Sequence, residues 1–377
     1  MLAAMDIDEP LTLLGGLSPA RFMRRHWQKK PLLVRQAVPG FEPLLARAEL
    51  FELAGREGVE SRLLRHGEGR WALRRGPLAR RALPPLAQRE WTLLVQGVDL
   101  HHAGVHALMQ QFRFVPDARL DDVMISWASD GGGVGPHFDS YDVFLLQAQG
   151  RRRWRIGRQK DLSLVEGLPL KILAHFEPEH EYLLEPGDML YLPPRWAHDG
   201  VAEGECMTYS IGFRQPARGE LAGELLQRLA EEAGEVLGDA AYRDPAQPAT
   251  ASPGAVPPAM LAFAQEAVQS LADDPQMLAM LLGEWLTEPK PDVWFEAGAT
   301  PSGAGDVVLD RRTRMMHDAQ HVFINGEGFE ASGRDATLMR QLADARRLPA
   351  RERQRLSAPA GELLAQWLQA GWAHEQF

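Results

Sequence analysis

GPHFD at residues 135–139 and PPRWAH at residues 193–198 are the two stretches of sequence that decide how this chain folds. Residues two apart on a β-strand point to the same face, so His137 and Asp139 can reach one metal ion together. His198 follows a second strand-like run, residues 188–192, far along the chain. Two histidines and one carboxylate on one side of an ion leave its other positions open, which is the arrangement of non-haem Fe(II) oxygenases.

The alternative to a metal site is that three polar residues merely lie in turns. A glycine-rich segment leads into the first two ligands and a Pro-Pro pair leads towards the third, so we favour the metal site. Among the remaining histidines, His102 and His106 lie one helical turn apart and could share a face. No third ligand is evident near them, so capping or surface packing explains them better.

Length and composition indicate a globular protein with more than one domain. The chain has 377 residues, of which 45% are hydrophobic and 24% are charged, an ordinary globular balance. No apolar run reaches the length of a membrane span, and the acidic N-terminal segment lacks the order of a signal peptide. Cys206 is the single cysteine, which excludes an intrachain disulfide and fits a reducing cytoplasm. We interpret it as a small buried hydrophobic residue.

The formal net charge of −10 argues against bulk nucleic-acid binding as the main activity. It is compatible with a basic partner, such as a ribosomal protein, through long-range attraction. A modestly acidic protein needs no charged partner, however, and charge alone leaves both interpretations open.

The pattern along the chain predicts three regions. Residues 1–215 begin with mixed patterns, including a predicted strand at 31–34, predicted helices at 90–98 and 105–112, and a run of arginines from Arg62 to Arg89 that we interpret as a solvated surface. From about residue 120, short strands alternate with Gly/Pro turns, which is typical of a sandwich or barrel. The predicted strands lie at residues 122–128, 141–149, 151–156, 182–184, 189–192 and 207–213.

Beyond residue 215 the sequence becomes helical. Residues 220–237 and 260–286 carry apolar stripes, which either pack inside one chain or pair with a second copy. A flexible break at 298–305 precedes a predicted hairpin and short helices. We therefore expect a helical region at 216–297 and a small winged-helix-like unit at 298–377.

A buried cation is needed if the metal works with 2-oxoglutarate, whose distal carboxylate must be bound. The run RRRWRI at residues 151–156 offers one. Strand alternation places Arg152 with Trp154 and Ile156 on the inward side, and the other three arginines on the solvent side. A guanidinium can bind a carboxylate through two parallel hydrogen bonds, although an arginine that snorkels at a barrel rim is the alternative.

A second polar set suggests a pocket for a long cationic side chain. Asp122, Met124 and Ser126 share one face of a predicted strand, and Tyr141 shares the face of His137 and Asp139. Asp122 would pair with a guanidinium, while Met124 and Tyr141 would pack on its stem and plane. The equally weighted alternative is that Asp122 starts a strand and Tyr141 packs in the core.

Residues 120–215 resemble the bacterial JmjC-type ribosomal oxygenases. The resemblance is carried by DDVMIS at 121–126, GGGVGPHFDSYDVF at 131–144, GRRRWR at 150–155, EPGDMLYLPP at 185–194 and YSIGFR at 209–214. One departure is Arg195, where many cupins have glycine.

The resemblance implies a set of site residues and cofactors. It implies Fe(II) bound by His137, Asp139 and His198, with dioxygen and 2-oxoglutarate as cosubstrates. It implies that Arg152 binds 2-oxoglutarate, with Ser126 and Ser210 nearby. Related enzymes can carry serine at the position of Ala128, which leaves the second anchor of 2-oxoglutarate open. The positions around a target arginine match Asp122, Met124 and Tyr141.

The resemblance also implies an architecture and a substrate. We expect a mainly β catalytic domain with a cupin-like JmjC double-stranded β-helix, an α-helical dimerisation region, a C-terminal winged-helix-like α+β unit, and assembly as a homodimer. The implied reaction is 3-hydroxylation of an arginine in large-subunit ribosomal protein L-16. We expect no membrane partner, and the sequence gives no firm prediction of direct nucleic-acid binding. The alternatives are a histidyl hydroxylase of another ribosomal protein, a metal-binding cupin without oxygenase activity, and a nucleic-acid-binding protein that uses its terminal unit.

Overall fold

The computed structural model describes residues 6–67, 70–298 and 301–377. The start of the N-terminal segment that we judged not to be a signal peptide lies outside the described residues, as do two residues of the predicted break at 298–305. The chain divides into two compact units, the first reaching Gln215 and including Pro291–Trp294, and the second comprising Pro216–Lys290 and Phe295–Phe377. The boundary expected near residue 298 stays a prediction.

The first unit consists mainly of β-strands with three short α-helices. The strands are β1 (Leu32–Val34), β2 (Ser61–Gly67), β3 (Arg70–Arg75), β4 (Trp91–Val95), β5 (Leu120–Ala128), β6 (Val143–Arg158), β7 (His180–Leu184), β8 (Met189–Leu192) and β9 (Trp196–Phe213), and the helices are α1 (Pro19–Arg25), α2 (Arg47–Leu53) and α3 (Ala103–Gln110).

These strands form one sheet in the order β1-β8-β6-β9-β5-β4-β2-β3, with β7 also paired to β6. The strand pairs of this sheet are antiparallel, and the longest joins β6 to β9, from Val143 opposite Gly212 to Arg158 opposite Trp196. The register shifts near Gly150, where a Cβ would lie 2.0 Å from the Glu205 carbonyl oxygen. Only glycine fits at this irregularity within β6, and its φ of 63° is one that glycine adopts at low cost.

The helix predicted at residues 90–98 is wrong, because Trp91–Val95 is strand β4. All five of its residues are buried, since β4 lies inside the sheet between β2 and β5. A short, continuous apolar run fits a fully buried strand and a buried helix equally well, so periodicity could not separate them. The helix predicted at 105–112 is present as α3, in part.

Two hydrophobic clusters lie on opposite faces of the sheet. Phe144 and Tyr191 pack against Phe22 of α1 in the larger cluster. Their sequence neighbours point to the other face, because side chains alternate along a strand. That second cluster consists of Val143, Leu145, Trp154, Ile156, Leu184, Leu190, Leu192 and Trp196.

The second unit combines helices with two small sheets. Its helices are α4 (Arg218–Leu237), α5 (Pro258–Ala272), α6 (Pro275–Thr287), α7 (Gly333–Ala345), α8 (Ala350–Arg353) and α9 (Ala358–Gln369), and its strands are β10 (Asp306–Leu309), β11 (Met315–His317), β12 (His321–Ile324), β13 (Glu327–Glu330), β14 (Arg347–Leu348) and β15 (Ala373–Gln376). The sheet orders are β14-β10-β15 and β11-β12-β13. Among the described residues, no helix is long and apolar enough to span a bilayer.

The single helix expected at 260–286 is two helices, α5 and α6. The Asp274 side chain accepts hydrogen bonds from the backbone N–H groups of Gln276 and Met277, and Pro275 occupies the first turn. An aspartate cap followed by proline is a helix start, so it interrupts the longer apolar pattern.

Asp188 fastens the segment after β1 to the turn before β8. Its carboxylate accepts hydrogen bonds from the backbone N–H groups of Gln36 at 3.0 Å and Glu185 at 3.1 Å, and from Arg35 at 2.5 Å. Asp188 is only 3% exposed. Burial opposes ionisation of this carboxyl, but the hydrogen bonds prevail and lower its pKa.

Replacing Asp188 with asparagine is expected to reduce the free energy of unfolding at neutral pH by about 2 kcal/mol, because charge-assisted hydrogen bonds are lost. A carboxyl whose pKa is lowered on folding stabilises the protein above its unfolded pKa, and that stabilisation disappears as the pH falls through the folded pKa. Urea unfolding should therefore show the deficit at pH 7 and a smaller one in acid. Glu166→Gln, at an exposed site, is the control, and a deficit independent of pH would contradict the role given to the charge.

Candidate metal centre

His137, Asp139 and His198 converge. One potential ligand atom from each lies within 4.8 Å of the other two, and no second group of this kind occurs in the described part of the chain. His198 Nε2 lies 3.7 Å from an Asp139 carboxylate oxygen. The backbones of His137 and His198 exchange two N–H···O hydrogen bonds, of 3.0 and 2.7 Å, which fix the first ligand segment beside β9.

The two imidazoles have the protonation that a metal requires. His137 Nδ1 lies 2.8 Å from the Gly135 carbonyl, and His198 Nδ1 lies 3.0 Å from the Trp196 carbonyl. A carbonyl only accepts, so each Nδ1 carries the proton and each Nε2 keeps its lone pair. Burial, together with the neighbouring His137, holds the pKa of His198 well below its usual value. Two imidazoles that can each offer Nε2, together with one carboxylate, fit Fe(II).

Arg195 has the backbone conformation that explains the glycine of other cupins. Its φ is 66°, in the left-handed region, and its N–H donates to the Asp139 carbonyl at 2.8 Å. The turn therefore keeps its shape and its contact with the metal-binding segment, although arginine adopts this conformation less readily than glycine.

Arg152 is a buried cation with unused donors. The residue is 5% exposed, and its Nη1 donates to Ser126 Oγ at 3.1 Å. Its Nε and Nη2 are buried without a hydrogen-bond partner. Unpaired buried donors on a charged group are costly, and a bound carboxylate would satisfy them. Arg152 thus has the chemistry needed to hold the distal carboxylate of 2-oxoglutarate.

The Trp154 ring connects this cation to the metal ligands. Its ring centre lies 5.7 Å from the Arg152 guanidinium carbon and 5.8 Å from the ring centre of His198. The indole lies against the bare backbone of Gly200, where a Cβ would come within 2.6 Å of the ring.

The candidate hydroxyls differ in their surroundings. Ser126 contacts Arg152 directly, whereas Ser210 is buried on β9 opposite Met124. Ala128 packs with Ala202 and Cys206 in a small apolar cluster, which also fits the interpretation of Cys206 as a buried hydrophobic residue.

Asp122 and Tyr141 lie near each other and near the metal ligands. Asp122 is 2% exposed and accepts hydrogen bonds from the Gln96 side chain and the Gly97 backbone. Tyr141 is 40% exposed. Partial burial and the carboxylates of Asp139 and Asp122 raise the pKa of its phenol, which also donates a hydrogen bond to Asp139.

Sequence reasoning missed two residues of this cluster, Arg62 and Gln96. Arg62 Nη2 donates to Gln96 Oε1 at 2.9 Å and lies 4.0 Å from the Met124 sulfur. Arg62 is therefore not simply part of a solvated surface. Gln96 follows β4 directly and was obscured by the wrong helix. Strand alternation in β2 could have placed Arg62 on one face of a strand, but the contact of Gln96 with Asp122 depends on the order of the strands, which local patterns do not give.

Comparison with known proteins extends this picture to both units. Residues 107–221 match the JmjC domain family, and residues 269–374 match the family of the ROXA-like winged helix. The cupin-like β-fold predicted for the first unit and the winged helix predicted near the C-terminus are confirmed. Pairing of the helical region with a second copy remains a prediction.

Three relatives of known sequence carry the names of a ribosomal protein hydroxylase or a ribosomal oxygenase. The Ribosomal protein uL16 3-hydroxylase of Escherichia coli (strain K12) is 35% identical over 84% of this chain and 86% of its own length. A Probable ribosomal oxygenase of Haemophilus influenzae is 38% identical over 57% of this chain and 54% of its own length. Ribosomal oxygenase 1 of Homo sapiens is 29% identical over 52% of this chain and 31% of its own length.

Solved structures agree with the sequence relationship. An X-ray structure of E. coli YcfD has a TM-score of 0.84, with 32% identity over 94% of this chain and 97% of that one. A structure of E. coli YcfD in complex with cobalt and 2-oxoglutarate has a TM-score of 0.80, with 31% identity over 96% and 99% of the two chains. With its sequence, its fold and its convergent ligands in agreement, this chain belongs to the JmjC-type ribosomal oxygenase family.

Proposed function

We propose that this chain is an Fe(II)- and 2-oxoglutarate-dependent protein hydroxylase that oxidises C3, the β-carbon, of an arginine in large-subunit ribosomal protein uL16. The observation that carries the proposal is the placement of a His-His-Asp set and the buried Arg152 in one β-fold. The relative at 35% identity bears the name of this activity, and the related YcfD structure holds cobalt with 2-oxoglutarate.

His137, Asp139 and His198 hold the metal from one side. When bound, Fe(II) with 2-oxoglutarate and dioxygen supplies the oxidising power that inserts oxygen into a C–H bond. Arg152 binds the distal carboxylate of 2-oxoglutarate, Ser126 orients its guanidinium, and Ser210 contributes a further hydroxyl. The apolar residues around Trp154 exclude water from this interior.

Asp122, Met124 and Tyr141 receive the target side chain. Asp122 supplies a buried negative charge, which suits a guanidinium because arginine stays protonated at any physiological pH. Tyr141 and Met124 flank the guanidinium plane and its stem. Since the Tyr141 phenol also donates a hydrogen bond to Asp139, the target carbon is held beside the metal ligands.

The assembly that we propose is a homodimer formed through the helical region, residues 216–297, in the cytoplasm. In support, α4 and α5 expose large apolar side chains, which are Leu226, Val236, Met260, Leu261, Phe263 and Val268. We also retain residues 1–215 as the catalytic domain and residues 298–377 as the winged-helix domain.

Wild-type protein given Fe(II), 2-oxoglutarate and recombinant uL16 should form succinate and add the mass of one oxygen atom to one arginine. Asp139→Ala should lower this turnover by at least about 100-fold, because a metal ligand is lost. Mass spectrometry of uL16 and metal analysis of the protein measure both effects, with exposed Asp239→Ala as the control.

Oxygen found on a histidine of another ribosomal protein would favour a histidyl hydroxylase instead. Metal binding without succinate would favour a cupin that is not an oxygenase. An Asp139→Ala variant that is folded and fully active would refute the metal assignment.

Arg152→Met should raise the half-saturating concentration of 2-oxoglutarate by about 100-fold, since two charge-assisted hydrogen bonds are lost. For Arg152→Lys, the half-saturating concentration of 2-oxoglutarate should lie between the values of the wild type and of Arg152→Met, because lysine keeps the charge but not the fork-shaped donors. Succinate formation against 2-oxoglutarate concentration measures this. Arg151→Met changes the neighbouring exposed arginine and is the matched control; equal effects in both variants would count against the assignment.

Asp122→Asn should lower kcat/KM for uL16 by about 100-fold, because the guanidinium loses its buried counter-charge. The half-saturating concentration of 2-oxoglutarate should change little. Kinetics of both substrates test this, with Asp121→Asn, the adjacent and more exposed carboxylate, as the matched control. Equal losses for uL16 and for 2-oxoglutarate would show that Asp122 does not act on the protein substrate.

A further inference from the structure

The buried charge of Asp122 is stabilised from one side by a single turn of the chain. The Gln96 amide nitrogen and the Gly97 backbone N–H both donate to Asp122 Oδ2, at 2.7 and 2.9 Å. Gly97 has a φ of 63°, which turns the backbone directly after β4 and aims both donors at the same oxygen. The orientation of this carboxylate therefore depends on residues 96 and 97.

Arg62 determines which end of the Gln96 amide faces Asp122. A glutamine amide has an acceptor end and a donor end of nearly the same shape. Arg62 Nη2 donates to Gln96 Oε1 at 2.9 Å, and a cation can bind only the acceptor end. The amide must then present its NH₂ group to the carboxylate, so Arg62, Gln96 and Asp122 form an ordered chain of charge-assisted hydrogen bonds.

Arg62, at the far end of this series of hydrogen bonds, also lies next to Met124. Arg62 lies opposite Leu94 in the pairing of β2 with β4, and Leu94 lies opposite Ser126 of β5, so the three share one face of the sheet. The Arg62 guanidinium lies 4.0 Å from the Met124 sulfur. Its positive charge lowers the pKa of the Tyr141 phenol, whereas the carboxylates of Asp139 and Asp122 raise it. Glu60 holds the Nε side of Arg62 at 3.7 Å.

We propose that Gln96 is a positioning residue for the hydroxylation, that it holds Asp122 in the orientation that receives the target guanidinium, and that Arg62 in turn fixes Gln96. The inference rests on the proposed function, because it concerns how that pocket takes arginine. In this proposal Gln96 acts through Asp122 and not by contact with the substrate. Without the Gln96 donor, the Asp122 carboxylate would be less firmly oriented, and the target carbon would shift relative to the metal ligands.

Gln96→Leu keeps a similar volume and removes the donor. We expect about a tenfold loss of kcat/KM for uL16, the value of one hydrogen bond to a charged group, with KM for uL16 raised. The half-saturating concentration of 2-oxoglutarate should change less than about twofold. In an Asp122→Asn background, Gln96→Leu should cause less than about a twofold further loss, because it acts through Asp122.

Arg62→Lys is the second variant, since it keeps a positive charge near the pocket but cannot reproduce the guanidinium contact. We expect about a threefold loss of kcat/KM for uL16, because the Gln96 amide can still donate to Asp122 but is no longer held in that orientation by the guanidinium. Gln88→Leu, an exposed glutamine elsewhere in the unit, is the control.

The outcomes separate the inference from the proposed function. If wild type hydroxylates uL16 and Gln96→Leu does so equally well, the inference is wrong and the function stands. If Gln96→Leu lowers kcat/KM for uL16 by the same factor in the wild-type and in the Asp122→Asn background, its effect is general destabilisation and the inference is again wrong. If wild type hydroxylates no arginine, the function fails and the inference fails with it.

Discussion

The antiparallel pairing of β6 with β9 is the constraint on which the rest of the site depends. It sets Ile156 opposite His198 and Arg152 opposite Ala202, so the register alone decides how far the cation lies from the metal ligand on the next strand. The exchange of backbone hydrogen bonds between His137 and His198 then attaches the other two ligands to the same strand. A slip of one residue would turn each of these side chains to the opposite face.

The site concentrates charges that the fold must hold out of water. Arg152 has two buried donors without partners, and Asp122 is held by an amide, a backbone N–H and, indirectly, an arginine. Such groups weaken an apoprotein unless ligands or a dense hydrogen-bond network compensate them. The two cases differ, because the Arg152 donors have no hydrogen-bond partner, whereas Asp122 already accepts hydrogen bonds from Gln96 and Gly97. Preordering of this kind reduces the loss of freedom on binding.

What the sequence revealed depended on the range of each interaction. Strand alternation was enough to bury Arg152, because period two is a local property. The spacing of two also predicted that His137 and Asp139 converge, although their segment forms only an isolated bridge at His137 and not a strand. A turn signal would have found the break at Asp273–Pro275, since an aspartate cap and a proline are adjacent in sequence. The bonds that join Arg62, Gln96 and Asp122 were out of reach, because they need the order β2-β4-β5, and the buried apolar run of β4 is indistinguishable from a helix at that length. Local patterns in the sequence therefore singled out Asp122, Met124 and Tyr141 but missed Arg62 and Gln96.

The contact between Trp154 and the backbone of Gly200 limits which substitutions this chain can accept at either position. Since even a methyl group at position 200 would overlap the indole, the large ring and the absent side chain are interdependent. A larger residue at position 200 would crowd the indole, and a smaller residue at position 154 would leave a cavity beside Gly200. A change in the shape of the interior at this point therefore requires substitutions on β6 and β9 together.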